Sequence, residues 1–258
     1  MTLLTIDARN TDTRLGLFVD DELVGDFVVS SDLRRTPDEW YLVVDGFARR
    51  RRVPEVSEIA MCSTVPDLTV TLHSCLARYH VGVPTWVVGP GVKTGVPIHT
   101  DNPREVGADR IVNALAVKEL YGGPAIVVDL SGTATVFDVV DAQGRYVGGA
   151  IAPGVEASME ALSRRSAQLR AVELTAPRDV IGKNTVEAVQ SGTVFGFAGL
   201  IDTMVERILE SLDEDPDDVN VIGTGRHGEA VLDECETITA RNPALTLHGL
   251  RMVAARNR

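Results

Sequence analysis

Val127-Val128-Asp129-Leu130-Ser131-Gly132-Thr133-Ala134-Thr135, with Val136-Phe137-Asp138-Val139-Val140 behind it, restates a pattern met near the start of the chain: Thr5-Ile6-Asp7-Ala8-Arg9-Asn10-Thr11-Asp12-Thr13, then Leu15-Gly16-Leu17-Phe18-Val19. In each copy an apolar strand ends on Asp, a Thr follows four positions later and a second Thr two beyond that, and another apolar strand begins. The apolar runs predict two paired strands, and the residues between them predict a hairpin turn. Asp, Asn, Ser, Gly and Thr are what any turn favours, so one copy decides little. Two copies in matched register, with Asp7 and Asp129 122 residues apart, predict a duplicated fold. Each turn brings a carboxylate that can hold a cation, and backbone N–H groups and hydroxyls that can bind phosphate oxygens.

The repeat divides the 258 residues into two domains, 1–116 and 117–258, each of ordinary domain size. A hydrophobic content of 44% is enough for two globular cores. The net charge of −12 argues against a nucleic-acid partner and against an acidic membrane surface. It leaves nucleotide binding open, because that depends on local groups. No stretch reaches the ~18 unbroken apolar residues of a membrane span, and Met1 leads straight into a strand, so a cytoplasmic location is expected. Cys62, Cys75 and Cys235 are widely spaced and odd in number, which predicts buried apolar fillers rather than a disulfide framework or a zinc site. The histidines at 73, 80, 99, 227 and 248 have no metal-ligand spacing.

Between the hairpins the pattern alternates. Glu22–Val29 continues as strand. Thr36-Pro37-Asp38-Glu39 opens a helix with a capping box, carries Trp40, Leu42, Val43 and Phe47 inward and ends on Arg49–Arg52, which complement the helix dipole. Ile59–Ser63 reads as a buried parallel strand. Pro66 to about Tyr79 reads as a helix with Leu68, Leu72, Cys75 and Leu76 on one face, and Thr85–Val88 as a strand. Asp101 to Arg110 runs into a helix beginning Ile111-Val112. After the second hairpin, Gly148–Gly154 reads as a small-residue turn opening a helix at Val155–Leu162. Asn184-Thr185 caps a long apolar helix containing Gly192, Gly196 and Gly199, and Asp213–Asp218 reads as a solvated acidic loop. Val219–Ile222 reads as a last buried strand. It breaks at Gly223-Thr224-Gly225-Arg226-His227-Gly228, where an α/β sheet presents ligand-binding loops. The fold class is therefore α/β.

Four stretches carry a resemblance to a known family: Gly89-Pro90-Gly91-Val92-Lys93-Thr94-Gly95, Asp101 through Arg110 with Ile111-Val112-Asn113-Ala114, Gly148 through Gly154, and Gly182-Lys183-Asn184-Thr185. In these, and in order over nearly the whole chain, the sequence resembles the type III pantothenate kinases of the actin-like ATPase superfamily. The resemblance implies two duplicated ribonuclease H-like domains with an interdomain nucleotide cleft. It implies ATP-dependent phosphorylation of pantothenate, the first step towards coenzyme A.

Site residues follow from the resemblance in the same way. It implies Asp109 as general base. It implies Asp7 for Mg²⁺, and Asp7, Ala8, Arg9, Asn10, Thr11, Asp12, Thr13 and Arg14 as the first phosphate loop. Asp129 is implied for a monovalent cation, K⁺ or NH₄⁺. Gly132 or Thr133 belongs to the second phosphate loop, Thr133 by chemistry and Gly132 by count, and Gly225 lies on the adenosine side. Thr100, Gly107, Ala108, Asp109, Arg110 and Thr185 are implied around pantothenate, in a homodimer. Three positions depart from the family pattern. Arg9 stands where glycine is usual, the loop Asp129–Thr133 is one residue longer, and Thr100 replaces a tyrosine. The first two suit a kinase-fold protein that binds without turnover, and the third suits a kinase for another small hydroxy-substrate; both stand as alternatives.

Overall fold

The computed structural model describes residues 1–165, 172–226 and 228–258; His227 of the glycine turn lies outside them. The chain forms two compact units, one of Met1–Val96, Asn102–Ala116 and Leu245–Arg258, the other of Pro97–Asp101 and Val117–Ala244.

The first unit is built on strands β1 (Thr2–Ala8), β2 (Asp12–Val19), β3 (Glu22–Ser30), β4 (Glu58–Ser63) and β5 (Thr85–Val87), in the spatial order β3-β2-β1-β4-β5. β1 is antiparallel to β2 and β2 to β3, whereas β4 runs parallel to β1 and β5 parallel to β4. Every residue of β1 is buried, as expected of a central strand covered on both faces. Helices α1 (Pro37–Arg51) and α2 (Pro66–Tyr79) form a core with the sheet, where Trp40 and Val44 meet Leu68, Leu72, Cys75 and Leu76. α1 starts as its sequence dictates: Glu39 N–H donates to Thr36 Oγ1 at 3.3 Å, and Thr36 N–H to Glu39 Oε2 at 2.7 Å. Leu42, read as inward, is 66% exposed. Residues 40, 44 and 47 share one helical face at 3.6 residues per turn, and 42 falls opposite.

The second unit repeats this plan strand for strand. It has β6 (Ala125–Asp129), β7 (Ala134–Val140), β8 (Tyr146–Pro153), β9 (Asn220–Thr224) and β10 (Ala240–Arg241), ordered β8-β7-β6-β9-β10 with the same parallel and antiparallel senses. Asp7, one residue before the end of β1, lies opposite Cys62 of β4, and Asp129 ends β6 opposite Thr224 of β9. The duplication read from the hairpins thus extends to the whole sheet. Stretch 148–153, read as a turn, is strand, because its small residues pair backbone to backbone with β7. A Cβ on Gly149 would come within 1.7 Å of the Phe137 carbonyl oxygen, so only glycine permits that pairing.

Helices α3 (Ala108–Leu120), α4 (Val155–Arg165), α5 (Thr185–Ser211), α6 (Glu229–Leu232) and α7 (Leu245–Asn257) are the other α-helices among the described residues. Asn184 caps α5 by accepting from Glu187 N–H at 3.0 Å. By length and composition α5 could cross a membrane, with a third of its apolar window buried; Ala198, Ile201 and Val205 lie in the second unit's core and Val194 is buried. α7 corrects the division at residue 116. It packs on β1 and β4, burying Leu247, Leu250, Val253 and Ala254, and so belongs with the first unit rather than with residues 117–244.

Candidate active site

In the first unit the β1–β2 turn is closed by Arg9 N–H donating to the Asp12 carbonyl at 3.0 Å. Asn10 and Thr11 form its exposed tip, and Ala8 is buried in β1. Thr13 and Arg14, read as part of the same loop, already lie in β2. The Thr13 hydroxyl shares a 2.8 Å hydrogen bond with Ser31, and Arg14 Nε donates to Asp26 Oδ1 at 2.8 Å.

Three predicted residues come together at the end of β1. Asp7 is 4% exposed, and its Oδ2 accepts from Arg9 Nε at 2.8 Å. Arg9 Nη1 also lies 3.9 Å from Asp109 Oδ2, so the guanidinium stands between two carboxylates. Asp109 occupies the first turn of α3, after Ala108 and before Arg110, all three half-buried. Gly107 precedes them, and a Cβ there would lie 2.6 Å from Asp109 Oδ1 and turn that carboxylate aside. The site thus pairs two acidic groups with one fixed cation at a helix N-terminus, where the backbone dipole also favours negative charge.

Three further residues touch this cluster and were not legible in the sequence as site residues. Cys62 Sγ donates to Asp7 Oδ1 at 3.5 Å. Burial, and then the Asp7 and Asp109 carboxylates, push the Cys62 thiol well above its ordinary pKa. Arg9 Nη2 donates to Thr246 Oγ1 at 3.1 Å, and Thr246 Oγ1 donates to Asn113 Oδ1 at 2.8 Å. Cys62 could have been found from its register opposite Asp7. Thr246 carries no signal of its own, because 237 residues separate it from Arg9.

In the second unit Ser131 folds back on the Asp129 carboxylate. Ser131 donates to Asp129 Oδ1 from its N–H at 3.0 Å and also from its hydroxyl. Asp129 is buried, Gly132 is buried at a φ of 98°, and Thr133 is exposed. Gly225 stands at a φ of 99°, and a Cβ there would come within 2.7 Å of the Leu130 backbone, so this turn and the 129–133 turn fit only through glycine. Thr100 lies in the 97–101 segment, and its hydroxyl oxygen is buried with no hydrogen-bond partner among the described residues. Thr185 is exposed at the start of α5.

Among the described residues no group of three or more His, Cys, Asp or Glu side chains could hold a metal ion by themselves. Asp7 alone still suits Mg²⁺, which keeps several waters and takes one or two carboxylates beside substrate phosphates. The buried Asp129 carboxylate offers the hard oxygen donors that suit a monovalent cation.

The family model for type III pantothenate kinases matches residues 3–207. The chain is 54% identical over 257 residues to the type III pantothenate kinase of Thermobifida fusca, covering 99% of both chains. It is 53% identical over 261 residues to that of Streptomyces coelicolor, covering 99% of this chain and 98% of the other. In fold it matches the ROK hexokinase of Thermus thermophilus at a TM-score of 0.52 and 15% identity, covering 100% and 99% of the two chains. With two units of one duplicated plan and this agreement along its length, the chain belongs to the type III pantothenate kinases.

Proposed function

We propose that the protein transfers the γ-phosphoryl group of ATP to the primary hydroxyl of pantothenate, giving 4'-phosphopantothenate and ADP. The observation that carries this reading is the placing of Asp109 in the first turn of α3, beside Arg9 and Asp7. Asp109 takes the proton as the hydroxyl oxygen bonds to phosphorus, and the bond from phosphorus to the ADP oxygen breaks. Phosphoryl transfer asks the protein chiefly for position and charge neutralisation. Mg²⁺, held by Asp7 and the phosphates, supplies charge neutralisation when bound.

Asp7 to Arg14 form the first phosphate loop in this reading. Its exposed tip residues Asn10 and Thr11 offer backbone and side-chain donors, and Arg9 offers its guanidinium. In the second unit the exposed Thr133 is the better candidate for a phosphate contact, while Gly132 shapes the turn. Asp129 holds K⁺ or NH₄⁺, and Gly225 lies on the adenosine side. Gly107, Ala108, Arg110, Thr100 and Thr185 surround pantothenate in a homodimer, with the partner subunit's Thr185 approaching the Asp109 site. A cytoplasmic location fits this chemistry.

A coupled assay of ADP release tests the reading, with pantothenate present or omitted and with K⁺ exchanged for Na⁺. Pantothenate-dependent release that needs K⁺ is expected. No release in any combination would overturn the reading and point to a binding role.

A further inference from the structure

We propose that Thr246, in the first turn of the last helix, is a positioning residue that fixes the Arg9 guanidinium between Asp7 and Asp109. This rests on the kinase reading above and adds to it a part of the chain that lies outside the residues matched by the family model.

Nε of the Arg9 guanidinium donates to Asp7 at 2.8 Å, Nη1 lies 3.9 Å from Asp109 and Nη2 donates to Thr246 at 3.1 Å. With Nε held on Asp7, the hydrogen bond at Nη2 sets the tilt of the guanidinium plane about Cδ–Nε and keeps Nη1 on the Asp109 side. Thr246 can serve because its own hydroxyl hydrogen is already committed to Asn113 Oδ1 at 2.8 Å. The oxygen therefore presents a lone pair to Arg9. Thr246 is 4% exposed and Asn113 1%, so the Thr246 hydroxyl and its acceptor are buried.

Local packing explains why these groups meet. Gly249 lies three residues after Thr246, on the same side of α7, and a Cβ there would come within 2.4 Å of the Val112 carbonyl oxygen. Glycine lets α7 approach α3 at Val112, and the next residue of α3 is Asn113. The last helix is thereby fastened to the site by a buried polar chain from Asn113 through Thr246 to Arg9.

A mutant cycle tests this with Thr246→Val, Thr246→Ser, Arg9→Ala and the double variant Arg9→Ala/Thr246→Val. It reads kcat/KM for ATP-dependent phosphorylation of pantothenate, Mg²⁺·ADP affinity by calorimetry, and Tm. Thr246→Val should lower kcat/KM and Mg²⁺·ADP affinity by about tenfold, the scale of one hydrogen bond to a charged group. Thr246→Ser should stay within about twofold of the parent, and Thr246→Val should add almost nothing once Arg9 is removed. A residue that only supports the fold would lower Tm and cost the same in both backgrounds, and that result overturns the proposal. Parent-like values for a folded Thr246→Val, or a serine variant as impaired as the valine, would overturn it too. If Thr246→Val does not fold, Thr246→Ala takes its place with the same expectations. If the parent binds Mg²⁺·ADP without phosphorylating pantothenate, the kinase reading falls and the same cycle in affinity decides on Thr246. If the parent binds no nucleotide, both fall.

Discussion

Arg9 donates from Nε to Asp7 Oδ2 at 2.8 Å, and the two side chains are 14% and 6% exposed. Arg9 thus places a cation against the acidic group proposed to hold Mg²⁺. The guanidinium is not left in solvent. It builds a neutralising charge into the space between two carboxylates.

Removing that charge should therefore cost stability. Arg9→Ala leaves Asp7 buried without its closest cation, and a loss of about 2–4 kcal/mol is expected in urea unfolding at neutral pH. Millimolar Mg²⁺ should recover part of it, because an ion that binds only the folded state stabilises it by mass action. An equal loss with and without Mg²⁺ would show that Asp7 does not hold the metal.

The second-unit turn can be tested through its sterics. A Cβ at Gly154 would lie 2.0 Å from the Gly132 carbonyl oxygen and 2.8 Å from Ala134 N, both backbone atoms that cannot swing aside. Gly154→Ala should displace the 131–133 turn, with a stability loss of about 1–3 kcal/mol and weaker nucleotide binding. Gly46 in α1, whose added Cβ meets nothing within 4 Å, is the control, and Gly46→Ala should stabilise by up to about 1 kcal/mol. Parent-like nucleotide affinity in Gly154→Ala would remove this turn from the site.

Residues that act locally were legible in the sequence. The Asp7 and Asp129 turns, the Thr36–Glu39 capping box and the Asn184 cap are short-range patterns, and each appears where its spacing puts it. What escaped was decided by distant partners. Strand β8 has no apolar alternation, and only the approach of Phe137 to Gly149 shows why its small residues are needed. Helix α7 follows the second sheet in sequence but covers the first. The Thr246 hydroxyl gains its meaning from Asn113, 133 residues earlier. Leu42 was misplaced by reading an apolar cluster without its period.

Two half-buried histidines set the acid side of the stability profile. Burial lowers the His80 pKa, and burial followed by Arg251 and Arg14 lowers that of His248, whose ring stands edge-on to Phe18. Both stay neutral in the folded chain under conditions where the unfolded chain takes up protons. Stability should then be unaffected above about pH 6.5, the ordinary histidine value, and should fall as pH drops below it. The carboxylates held low by partners, such as Asp141 beside Arg145, lose their contribution only nearer pH 4. Thermal melts between pH 7.5 and 5.5 should show this decline, and His248→Gln should flatten it. A parent profile that rises over that range would contradict the assignment.

Asp109→Asn is the test of the chemical step. The variant keeps the shape of the side chain and its place in the first turn of α3, and it removes the capacity to accept a proton. Little stability should depend on the charge, because the nearest guanidinium nitrogen lies 3.9 Å away, beyond hydrogen-bond reach, and the side chain keeps 15% of its surface exposed. A general base contributes about 10²–10⁴-fold, which sets the expected fall in kcat, with KM for pantothenate and ATP changed far less. The loose transition state of phosphoryl transfer requires little early proton removal, so much of that factor reflects orientation of the attacking hydroxyl. Asparagine could retain part of this orientation by hydrogen bonding, which places the expected loss toward the lower end of the range. Circular dichroism and Tm matching the parent would confirm that the loss is chemical. If the variant phosphorylates pantothenate within about threefold of the parent, a margin well inside the range for a lost base, then Asp109 serves the helix start and the proton goes elsewhere.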